Sequence, residues 1–550
     1  MSKLKFIVDG IELSFNREKV SLKEIADRVK NKYPGHICMG IINGKLYDLN
    51  RKLYRDAEIT FLDTTTEDGK RLYFRGLSLL LVLASKMLFN NCEVFIKHSL
   101  SDGLYCELDI KRELSQDDIV AIKKAMKEIV DSNYPISCNY VPNDLAIEIF
   151  EKIGRKEKSE LLKYRKEDLT RIYECNGYLD YFYGYMFPST GYIKDFDVQK
   201  MADGLIVMGP KEGLKGTITE FKELPKLSDV YRESERWSET LGIFNVVDLN
   251  KIIENNQYGE MIRTVEALHE KKIAEIADTI VKNKSRVILI AAPSSSGKTS
   301  FAHRLSTQLR VNGLEPIPIS IDDYFVEREN TPLDEFGNMD FESIYSICID
   351  DFNRDVNSLL SGDEIEKIKF DFITGTRIYT GETIKLDNNQ PIILEGIHAL
   401  NPILTEDIDD STKFRIYLSA ITQVNLDNHN RIPTTDLRLI RRMVRDYHFR
   451  GFDADKTLEL WPSVRRGEKK NIFPFQEQAD VMFNSVSVYE LSVLKNEAMK
   501  ILKEIEEGSK NYLEATRIKK ILQYFEKIED FDDIGPTSII REFIGGSRIV

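Results

Sequence analysis

The stretch Val287-Ile288-Leu289-Ile290-Ala291-Ala292-Pro293-Ser294-Ser295-Ser296-Gly297-Lys298-Thr299 decides how the C-terminal half of this chain folds. Five apolar residues in a row predict a buried strand, and the Gly-Lys-Thr that follows predicts the start of a helix. A phosphate group is held by converging backbone N–H groups, a helix N-terminus and one cation. Because strand, loop and helix come in this order, we interpret the stretch as a phosphate-binding loop rather than a chance Gly-Lys-Thr.

Each position of the loop has an expected role. Gly297 lets the backbone approach a phosphate, Lys298 reaches the β- and γ-phosphates, and Thr299 offers a hydroxyl to Mg²⁺. The usual pattern opens with glycine, whereas this chain has Ala292 followed by Pro293, which lacks an N–H. We expect ATP to be bound by Pro293, Ser294, Ser295, Ser296, Gly297, Lys298, Thr299 and Ser300.

Two carboxylates follow other predicted strands. Asp322 ends the strand predicted over Pro316–Ile321, where it can accept or position the proton of an attacking hydroxyl. Glu395 follows the strand predicted over Pro391–Leu394 and is suited to the shell of a magnesium ion. The alternatives are a turn or helix-cap role for Asp322 and a structural ion pair with an arginine for Glu395.

A third cluster lies in the segment 436–450. On a helix, Arg438, Arg441, Arg442 and Arg445 fall at i, i+3, i+4 and i+7 and share one face. A solvated face normally alternates in sign. This one is almost purely cationic, which favours a phosphate partner.

The strand and helix signals predict an α/β multidomain chain. Alternating strands and helices after Arg286 predict a parallel sheet with helices on both faces, whose ligands sit at the carboxyl ends of the strands. Residues 1–62 have the hairpin and capping signals of a β-grasp module. The predicted domains are 1–62, an α+β unit at 63–225, a helical connector at 226–284, the phosphate-binding domain at 285–505 and a helical tail at 506–550.

Composition excludes several classes of protein. Apolar residues make up 42% and charged residues 30% of the 550 residues, which argues against disorder. The net charge of −13 argues against nucleic-acid binding by the chain as a whole. The six cysteines form no CxxC pair, and no apolar run is long enough for a membrane span, so we expect a cytoplasmic protein without a membrane contact.

Six segments between residues 286 and 490 resemble the uridine kinase and phosphoribulokinase family. They are Pro293–Thr299, Ser320–Phe325, Asn338–Phe341, Phe370–Phe372 with Thr376 and Arg377, Ile392–Gly396, and Thr435–Arg450. The resemblance implies a P-loop kinase fold and an ATP- and Mg²⁺-dependent transfer of the γ-phosphate to an alcohol. It makes Asp322 the catalytic base beside Lys298, and it makes Thr299 and Glu395 the metal ligands.

The same resemblance assigns roles around the transferred phosphate. It implies that Arg438, Arg441, Arg445 and Arg450 form a lid over ATP, with Arg441 and Arg445 in catalysis. It implies an acceptor pocket built with Asp340, Phe370, Phe372 and Arg377. This sequence departs from the family at Phe370, where uridine kinases often carry Tyr, and at Asp323, where they carry Ser. These changes bear on the identity of the acceptor.

The N-terminal half resembles two modules of threonyl-tRNA synthetase. Residues 1–62 resemble a TGS domain through Ile59–Leu62, and residues 63–225 resemble the editing domain through Asp102–Tyr105 and Phe187–Gly191. The editing domain uses two His, then a Cys and a His. This chain has Gly76, Leu80, Phe182 and Met186 at those positions, so we expect binding or regulation here rather than catalysis.

The function expected from the sequence is an ATP-dependent kinase of a small acceptor, most consistent with a nucleoside. One alternative is a sugar phosphate acceptor, for which Arg465, Arg466, Lys469 and Lys470 are candidate contacts. The other is an ATP-binding regulator associated with RNA or ribosomes, with RNA contacts in the N-terminal half. A homo-oligomer is also expected. A GTPase is disfavoured because no Asn-Lys-x-Asp motif follows the loop.

Overall fold

The computed structural model describes residues 4–100, 102–371 and 374–550, and it begins with a small mixed sheet. Strand order in this sheet is β2-β1-β7-β4-β5. Ser21 and Glu24 form the predicted capping box at the start of α1. The elements are β1 (Leu4–Val8), β2 (Ile11–Phe15), β3 (Val20–Ser21), α1 (Leu22–Val29), β4 (Ile37–Ile42), β5 (Lys45–Asp48), β6 (Lys52–Leu53) and β7 (Ala57–Asp63).

The second unit combines helices with two antiparallel sheets, ordered β13-β14-β9-β8 and β10-β11-β12. Its elements are α2 (Glu67–Leu88), β8 (Glu93–Leu100), β9 (Gly103–Asp109), α3 (Gln116–Ser132), β10 (Ile136–Pro142), α4 (Asn143–Lys152), α5 (Lys156–Lys163), β11 (Leu169–Cys175), β12 (Tyr178–Asp180), β13 (Asp197–Met201) and β14 (Gly204–Met208). The apolar periodicity of Leu72–Phe89 predicts a helix, and α2 begins five residues before Leu72. Thr66 explains that start, because its side chain accepts a hydrogen bond from the Gly69 N–H.

Three helices connect this unit to the C-terminal half, as the periodicity of residues 226–284 predicts. They are α6 (Pro225–Leu241), α7 (Val246–Glu254) and α8 (Tyr258–Asn283). Helix α8 is the longest and packs against the helix that follows the phosphate-binding loop.

The C-terminal half contains the predicted parallel sheet. Its five strands run in the order β16-β19-β15-β20-β21, and every neighbouring pair is parallel. The elements of the C-terminal half are β15 (Val287–Ala291), α9 (Lys298–Val311), β16 (Ile317–Ser320), α10 (Ile349–Ser361), β17 (Glu364–Asp371), β18 (Thr376–Lys385), β19 (Ile392–Glu395), β20 (Lys413–Ser419), α11 (Thr434–Phe449), α12 (Ala454–Asn471), β21 (Val481–Asn484), α13 (Glu490–Lys503), α14 (Tyr512–Leu522) and α15 (Arg541–Ile544).

Helices cover both faces of this sheet. In the central strand β15, Ile288 and Ile290 belong to one apolar cluster, whereas Val287, Leu289 and Ala291 belong to another. Successive side chains of a strand point to opposite faces, so the two clusters are the cores on either side of the sheet. The α/β fold class predicted from the sequence is confirmed. Among the helices described, none is long and apolar enough to span a bilayer.

A buried ion-pair cluster joins the two halves of the chain. The ammonium of Lys158 on α5 lies 2.8 Å from Asp427, which follows β20, and 3.0 Å from Asp180. Asp180 also lies 2.6 Å from His429. Burial acts to raise the pKa of Asp180, but the charges of Lys158 and His429 outweigh it and hold that pKa well below its usual range. The cluster therefore fixes the N-terminal half against the loop that leads into α11.

Candidate active site

The phosphate-binding loop follows the central strand. Strand β15 ends at Ala291, and α9 begins at Lys298. Two residues of the turn, Ser295 (φ 60°) and Gly297 (φ 76°), adopt left-handed backbone conformations. Two features exclude a side chain at Gly297: its positive φ, and a collision of any Cβ with Ile539 from the C-terminal tail. The loop thus has the compact form needed to bring backbone N–H groups around an anion.

Several polar atoms at this site lack a partner. Within the described residues, the hydroxyls of Ser295 and Ser296 and one carboxylate oxygen of Glu395 are buried without a hydrogen bond. A buried polar group that stays unsatisfied costs about 1–3 kcal/mol. The donor set, two hydroxyls on a loop that opens a helix, fits a phosphate, and the free carboxylate oxygen fits a cation.

Thr299 and Glu395 are close enough to share a metal ion. The Thr299 hydroxyl and the Ser320 hydroxyl each donate to Oε1 of Glu395, both at 3.3 Å. Burial raises the pKa of Glu395 to about 7, with a further contribution from Asp322, while Lys298 opposes the rise. The described residues contain no group of three His, Cys, Asp or Glu side chains able to hold a metal. Magnesium often keeps waters and phosphate oxygens in its shell, so two protein ligands suffice here.

Asp322 lies where three strand ends meet. Strand β19 pairs with β15 and with β16, and both pairings reach Glu395, through Ile290 and through Ser320. Asp322 follows in a single 3₁₀ turn over Ile321–Tyr324. Its negative charge contributes to the raised pKa of Glu395. The parallel sheet therefore brings this carboxylate to the phosphate-binding loop from a separate strand.

The neighbouring Asp323 is engaged differently. It accepts a hydrogen bond from the backbone N–H of Phe370 at 3.2 Å. Burial raises its pKa, and the adjacent charge of Asp322 adds to the rise. Asp323 thus holds strand β17 in place, whereas the charge of Asp322 acts on Glu395 and Glu342.

The two arginines nearest the start of α11 are committed to ion pairs. Arg438 and Arg441 are 1% and 0% exposed. Arg438 pairs with Glu468 of α12 and donates to the Ser294 carbonyl at 3.0 Å. Arg441 pairs with Glu490 at 2.7 Å. This corrects the expectation of an open cationic face: at these two positions the guanidinium groups brace the phosphate-binding loop from beneath.

The next arginines surround one carboxylate. Arg442, Arg445 and Arg450 all lie within ion-pair distance of Asp446, and Arg442 also donates to the Ser294 hydroxyl at 2.7 Å. Burial lowers the pKa of Arg450 to about 10, and the neighbouring Arg445 adds to the effect. One carboxylate balances only part of the charge of three guanidinium groups. A cationic region therefore persists at the C-terminal end of α11, and it includes Arg445 and Arg450, two of the four arginines expected in the lid.

Three of the residues expected in the acceptor pocket have contacts with different neighbours. Asp340 accepts from the Glu342 N–H at 3.2 Å. Phe370 is buried and packs on Phe325, with ring centroids 5.6 Å apart. Arg377 pairs with Asp351 of α10 at 2.6 Å. Phe372 lies outside the described residues.

The structure adds Glu342, which the sequence gave no reason to select. Burial raises its pKa to about 7, while the charges of Arg442 and Lys298 oppose the rise. One of its carboxylate oxygens is buried without a partner among the described residues. Its backbone carbonyl accepts from Asn471 of α12 at 2.6 Å. Glu342 is therefore a further polar group between the phosphate-binding loop and α12.

The C-terminal tail also reaches the loop. The hydroxyl of Ser300 donates to the carboxylate of Glu542 at 2.8 Å. Phe543 of the same short helix lies under the guanidinium of Arg441, 4.9 Å from it. Because Ser300 lies in the first turn of α9, the Glu542 carboxylate occupies a position where a helix N-terminus favours an anion. The tail is thus part of the surroundings of the phosphate site.

In the N-terminal half, the four positions that correspond to the editing residues have apolar surroundings. Leu80, Phe182 and Met186 are buried in one apolar cluster. A Cβ on Gly76 would lie 2.7 Å from Ile193. Packing of this kind fills the space that ligands or catalytic groups would need.

Comparison with known proteins agrees with the phosphate-binding site of the C-terminal half. Residues 287–492 match the model of the Phosphoribulokinase / Uridine kinase family. The C-terminal half contains a domain of this family. The match runs from β15 to the first turn of α13, and it includes the phosphate-binding loop, Asp322, Glu395 and the arginines of α11.

The N-terminal half of the chain matches threonine–tRNA ligases. One, from Wolbachia sp. subsp. Brugia malayi (strain TRS), is 28% identical over 262 residues, which are 44% of this chain and 41% of the relative. Threonine–tRNA ligase 2 of Bacillus subtilis (strain 168) is 30% identical over 185 residues, 33% of this chain and 29% of the relative. The chain spans less than half the length of these relatives. The resemblance of the N-terminal half to the TGS and editing region is confirmed.

Solved structures match the C-terminal half as well. A structure described as a "Possible Uridine Kinase" from Bacillus stearothermophilus is 20% identical, with a TM-score of 0.28, and covers 39% of this chain and 98% of that one. The YGR205w protein is 18% identical, with a TM-score of 0.25, and covers 35% of this chain and 80% of that one.

Proposed function

We propose that this chain is an ATP-dependent kinase that transfers the γ-phosphate to a hydroxyl of a small acceptor, most consistent with a nucleoside. The observation that carries the proposal is that the Thr299 hydroxyl, in the first turn of α9, lies 3.3 Å from Glu395 at the end of β19, and that the charge of Asp322, just after the neighbouring strand β16, acts on the same carboxylate. The family match over residues 287–492 supports an ATP-dependent phosphotransferase.

The proposed chemistry rests on positioning and electrostatics. Lys298 and the loop hold the phosphates, while Thr299 and Glu395 hold the magnesium ion that neutralises them. Asp322 orients the acceptor hydroxyl and takes up its proton as the oxygen attacks the γ-phosphorus, and the bond from the γ-phosphorus to the β–γ bridging oxygen breaks to release ADP. Arg442, Arg445 and Arg450 supply positive charge beside the transferred group. Arg438 and Arg441 act indirectly: they position the loop by donating hydrogen bonds to the carbonyls of Ser294 and Ser295.

The choice of a nucleoside over a sugar phosphate has structural support. A phosphorylated acceptor needs cations beyond the ATP site, and the candidates were Arg465, Arg466, Lys469 and Lys470, of which the two arginines form ion pairs. Arg466 pairs with Asp334 at 3.2 Å, and Arg465 pairs with Glu468 at 2.5 Å. These pairings favour an acceptor without a phosphate. Asp340 remains our proposed contact to its sugar, and Phe370 its proposed wall.

For the remainder of the chain the proposals follow the sequence. The domain limits are proposed at 1–62, 63–225, 226–284, 285–505 and 506–550. We place the protein in the cytoplasm as a homo-oligomer, and we assign a binding or regulatory role to the N-terminal half, with RNA contact as the second candidate function. The match to threonine–tRNA ligases supports that candidate.

The test is an ADP-release assay with purified protein across uridine, cytidine, ribulose 5-phosphate and pantothenate. We expect turnover with a nucleoside that needs both Mg²⁺ and Asp322. ADP release that is confined to ribulose 5-phosphate or pantothenate would contradict the nucleoside assignment. Magnesium-independent release would contradict the proposed role of Thr299 and Glu395.

A further inference from the structure

A cavity of about 240 Å³ lies between the N-terminal half and the kinase domain, and no step proposed above uses it. Helix α2 forms one wall with Tyr73 and Arg75. The opposite wall comes from the kinase domain, with Arg431 before α11 and Lys469 on α12. We call this cavity the interdomain pocket.

The lining of the interdomain pocket is predominantly cationic. Three carboxylates face it, from Glu67, Asp102 and Glu212. Twice as many basic side chains do so: Lys70, Arg71, Arg75, Arg431, Arg465 and Lys469. In a chain whose net charge is −13, this concentration of positive charge is local and marks the pocket as a site for an anion.

Ion pairs account for only half of these cations. Lys70 pairs with Glu67 at 3.4 Å, Arg71 with Glu514 at 3.1 Å, and Arg465 with Glu468 at 2.5 Å.

The remaining cations lack such partners. Across residues 4–100, 102–371 and 374–550, no ion pair is formed by Arg75, Arg431 or Lys469. Burial lowers the pKa of Arg75, which shows that its charge is held at a cost. An anionic ligand would offset that cost.

The size and walls of the pocket restrict the ligand further. Pockets for small molecules commonly measure about 300–1,000 Å³, so a cavity of 240 Å³ suits a small ligand rather than a folded macromolecule. Tyr73, Phe74 and Tyr183 add aromatic surface, and the guanidinium of Arg75 lies 5.7 Å from the ring centre of Tyr183. Arginine is suited to binding phosphoryl oxygens in pairs.

We propose that the interdomain pocket binds a small phosphorylated metabolite, with its phosphoryl group held by Arg75, Arg431 and Lys469 and its organic part against the aromatic wall. Binding here does not depend on the proposed kinase activity. The pocket is nevertheless connected to the phosphate-binding loop by a chain of side-chain contacts.

The connection to the loop runs along α12. Arg465 lines the pocket and pairs with Glu468. The same carboxylate pairs with Arg438, whose Nε donates to the Ser294 carbonyl of the phosphate-binding loop at 3.0 Å. An anion in the pocket competes with Glu468 for Arg465 and leaves Glu468 more fully paired with Arg438. Occupancy of the pocket therefore changes how the loop is braced, and with it the affinity for ATP.

The experiment measures binding to the full chain by titration calorimetry, with Mg²⁺ and a non-hydrolysable ATP analogue present to fill the nucleotide site. The probes are adenosine 5′-monophosphate, ribose 5-phosphate, inorganic phosphate and unphosphorylated adenosine. We expect saturable binding of at least one phosphate ester, weaker binding of inorganic phosphate and none of adenosine. Arg75→Gln and Arg431→Gln should each weaken the ester about tenfold or more. Lys86→Gln, a lysine of α2 that does not line the pocket, is the matched control.

Coupling is tested separately by titrating the ATP analogue with and without the bound ester. We expect its Kd to shift about fivefold or more, and Arg465→Gln should abolish the shift. No saturable binding of either ester, or binding that Arg75→Gln, Arg431→Gln and Lys469→Gln all leave unchanged, would overturn the site. Normal binding with an unchanged Kd for the analogue would overturn the coupling. If the more buried arginine variants do not fold, Lys469→Gln still tests whether the site binds the ester.

Discussion

Replacing Glu542 with glutamine should strengthen ATP binding. The Glu542 carboxylate accepts a hydrogen bond from Ser300 at 2.8 Å, in the first turn of α9. Its charge also contributes to the raised pKa of Glu395 beside the proposed metal site. A nucleotide that brings its phosphates to this helix N-terminus must compete with that carboxylate. The substitution removes the negative charge and keeps the shape of the side chain.

The size of the effect follows from the hydrogen bond. A hydrogen bond to a charged group contributes about 1.5–3 kcal/mol, whereas a neutral one contributes about 0.5–1.5 kcal/mol. The difference is about 1–1.5 kcal/mol, and a change of about 1.4 kcal/mol is tenfold in affinity. Glu542→Gln should therefore lower the Kd for Mg·ATP about five- to tenfold.

The assay is calorimetric titration of the purified chain with a non-hydrolysable ATP analogue and Mg²⁺. Glu506→Gln is the control, because it removes the same charge from an exposed position away from the loop. An unchanged Kd in Glu542→Gln would refute the competition between the tail and the nucleotide. A higher Kd would show instead that Glu542 supports binding, as a carboxylate near the metal.

Three further predictions address catalysis and stability. Asp322→Asn should lower kcat in steady-state assays by about 10²–10⁴-fold, because a general base contributes about that much, and it should change ATP binding little. Asp323→Asn should lower kcat much less, because Asp323 is hydrogen-bonded to the Phe370 backbone. Lys158→Met should destabilise the chain by about 3–5 kcal/mol in urea denaturation, because it leaves the buried carboxylate of Asp427 without its ion-pair partner. The exposed Lys156→Met should be nearly neutral. A loss of less than 1 kcal/mol in the first variant would contradict the proposed junction. The pKa of Asp180 is held low in the folded chain, so its ion pairs stabilise the fold above the ordinary Asp pKa of about 4, and this stabilisation is lost as the pH falls below that value. Urea denaturation midpoints should therefore decrease from pH 6 to pH 3. The decrease should be smaller in Lys158→Met.

Local signals predicted the elements of this protein well. The apolar run before Gly-Lys-Thr gave the central strand, and Ser21 with Glu24 gave the capping box that the structure shows. Strands β10 to β14, the paired strands β17 and β18, and the two-residue strands β3 and β6 were not predicted. Strand β10 mixes exposed and half-buried residues without a regular alternation and ends at Pro142, so its pairing with β11 depends on tertiary contacts rather than on pattern.

The partners of the charged residues could not be predicted in the same way. The i, i+3, i+4, i+7 spacing correctly placed Arg438 and Arg441 on one helix, but Glu468 and Glu490 lie 30 and 49 positions away. Glu542 lies 242 positions from Ser300. A charge pattern reports which side chains share a face, whereas what that face meets depends on how distant elements pack. On the predicted cationic face, Arg438 and Arg441 therefore form ion pairs and donate to the loop carbonyls, and the role of the later arginines at the phosphate remains a prediction.

Transfer of phosphate itself tests the central claim most directly. The full chain is incubated with ATP labelled at the γ-phosphate, Mg²⁺ and either uridine or cytidine, and the product is identified by mass spectrometry. The account predicts a labelled nucleoside monophosphate from the wild-type chain and about 10²–10⁴-fold less from Asp322→Asn. Label that appears only as inorganic phosphate, or equal product from both proteins, would contradict it.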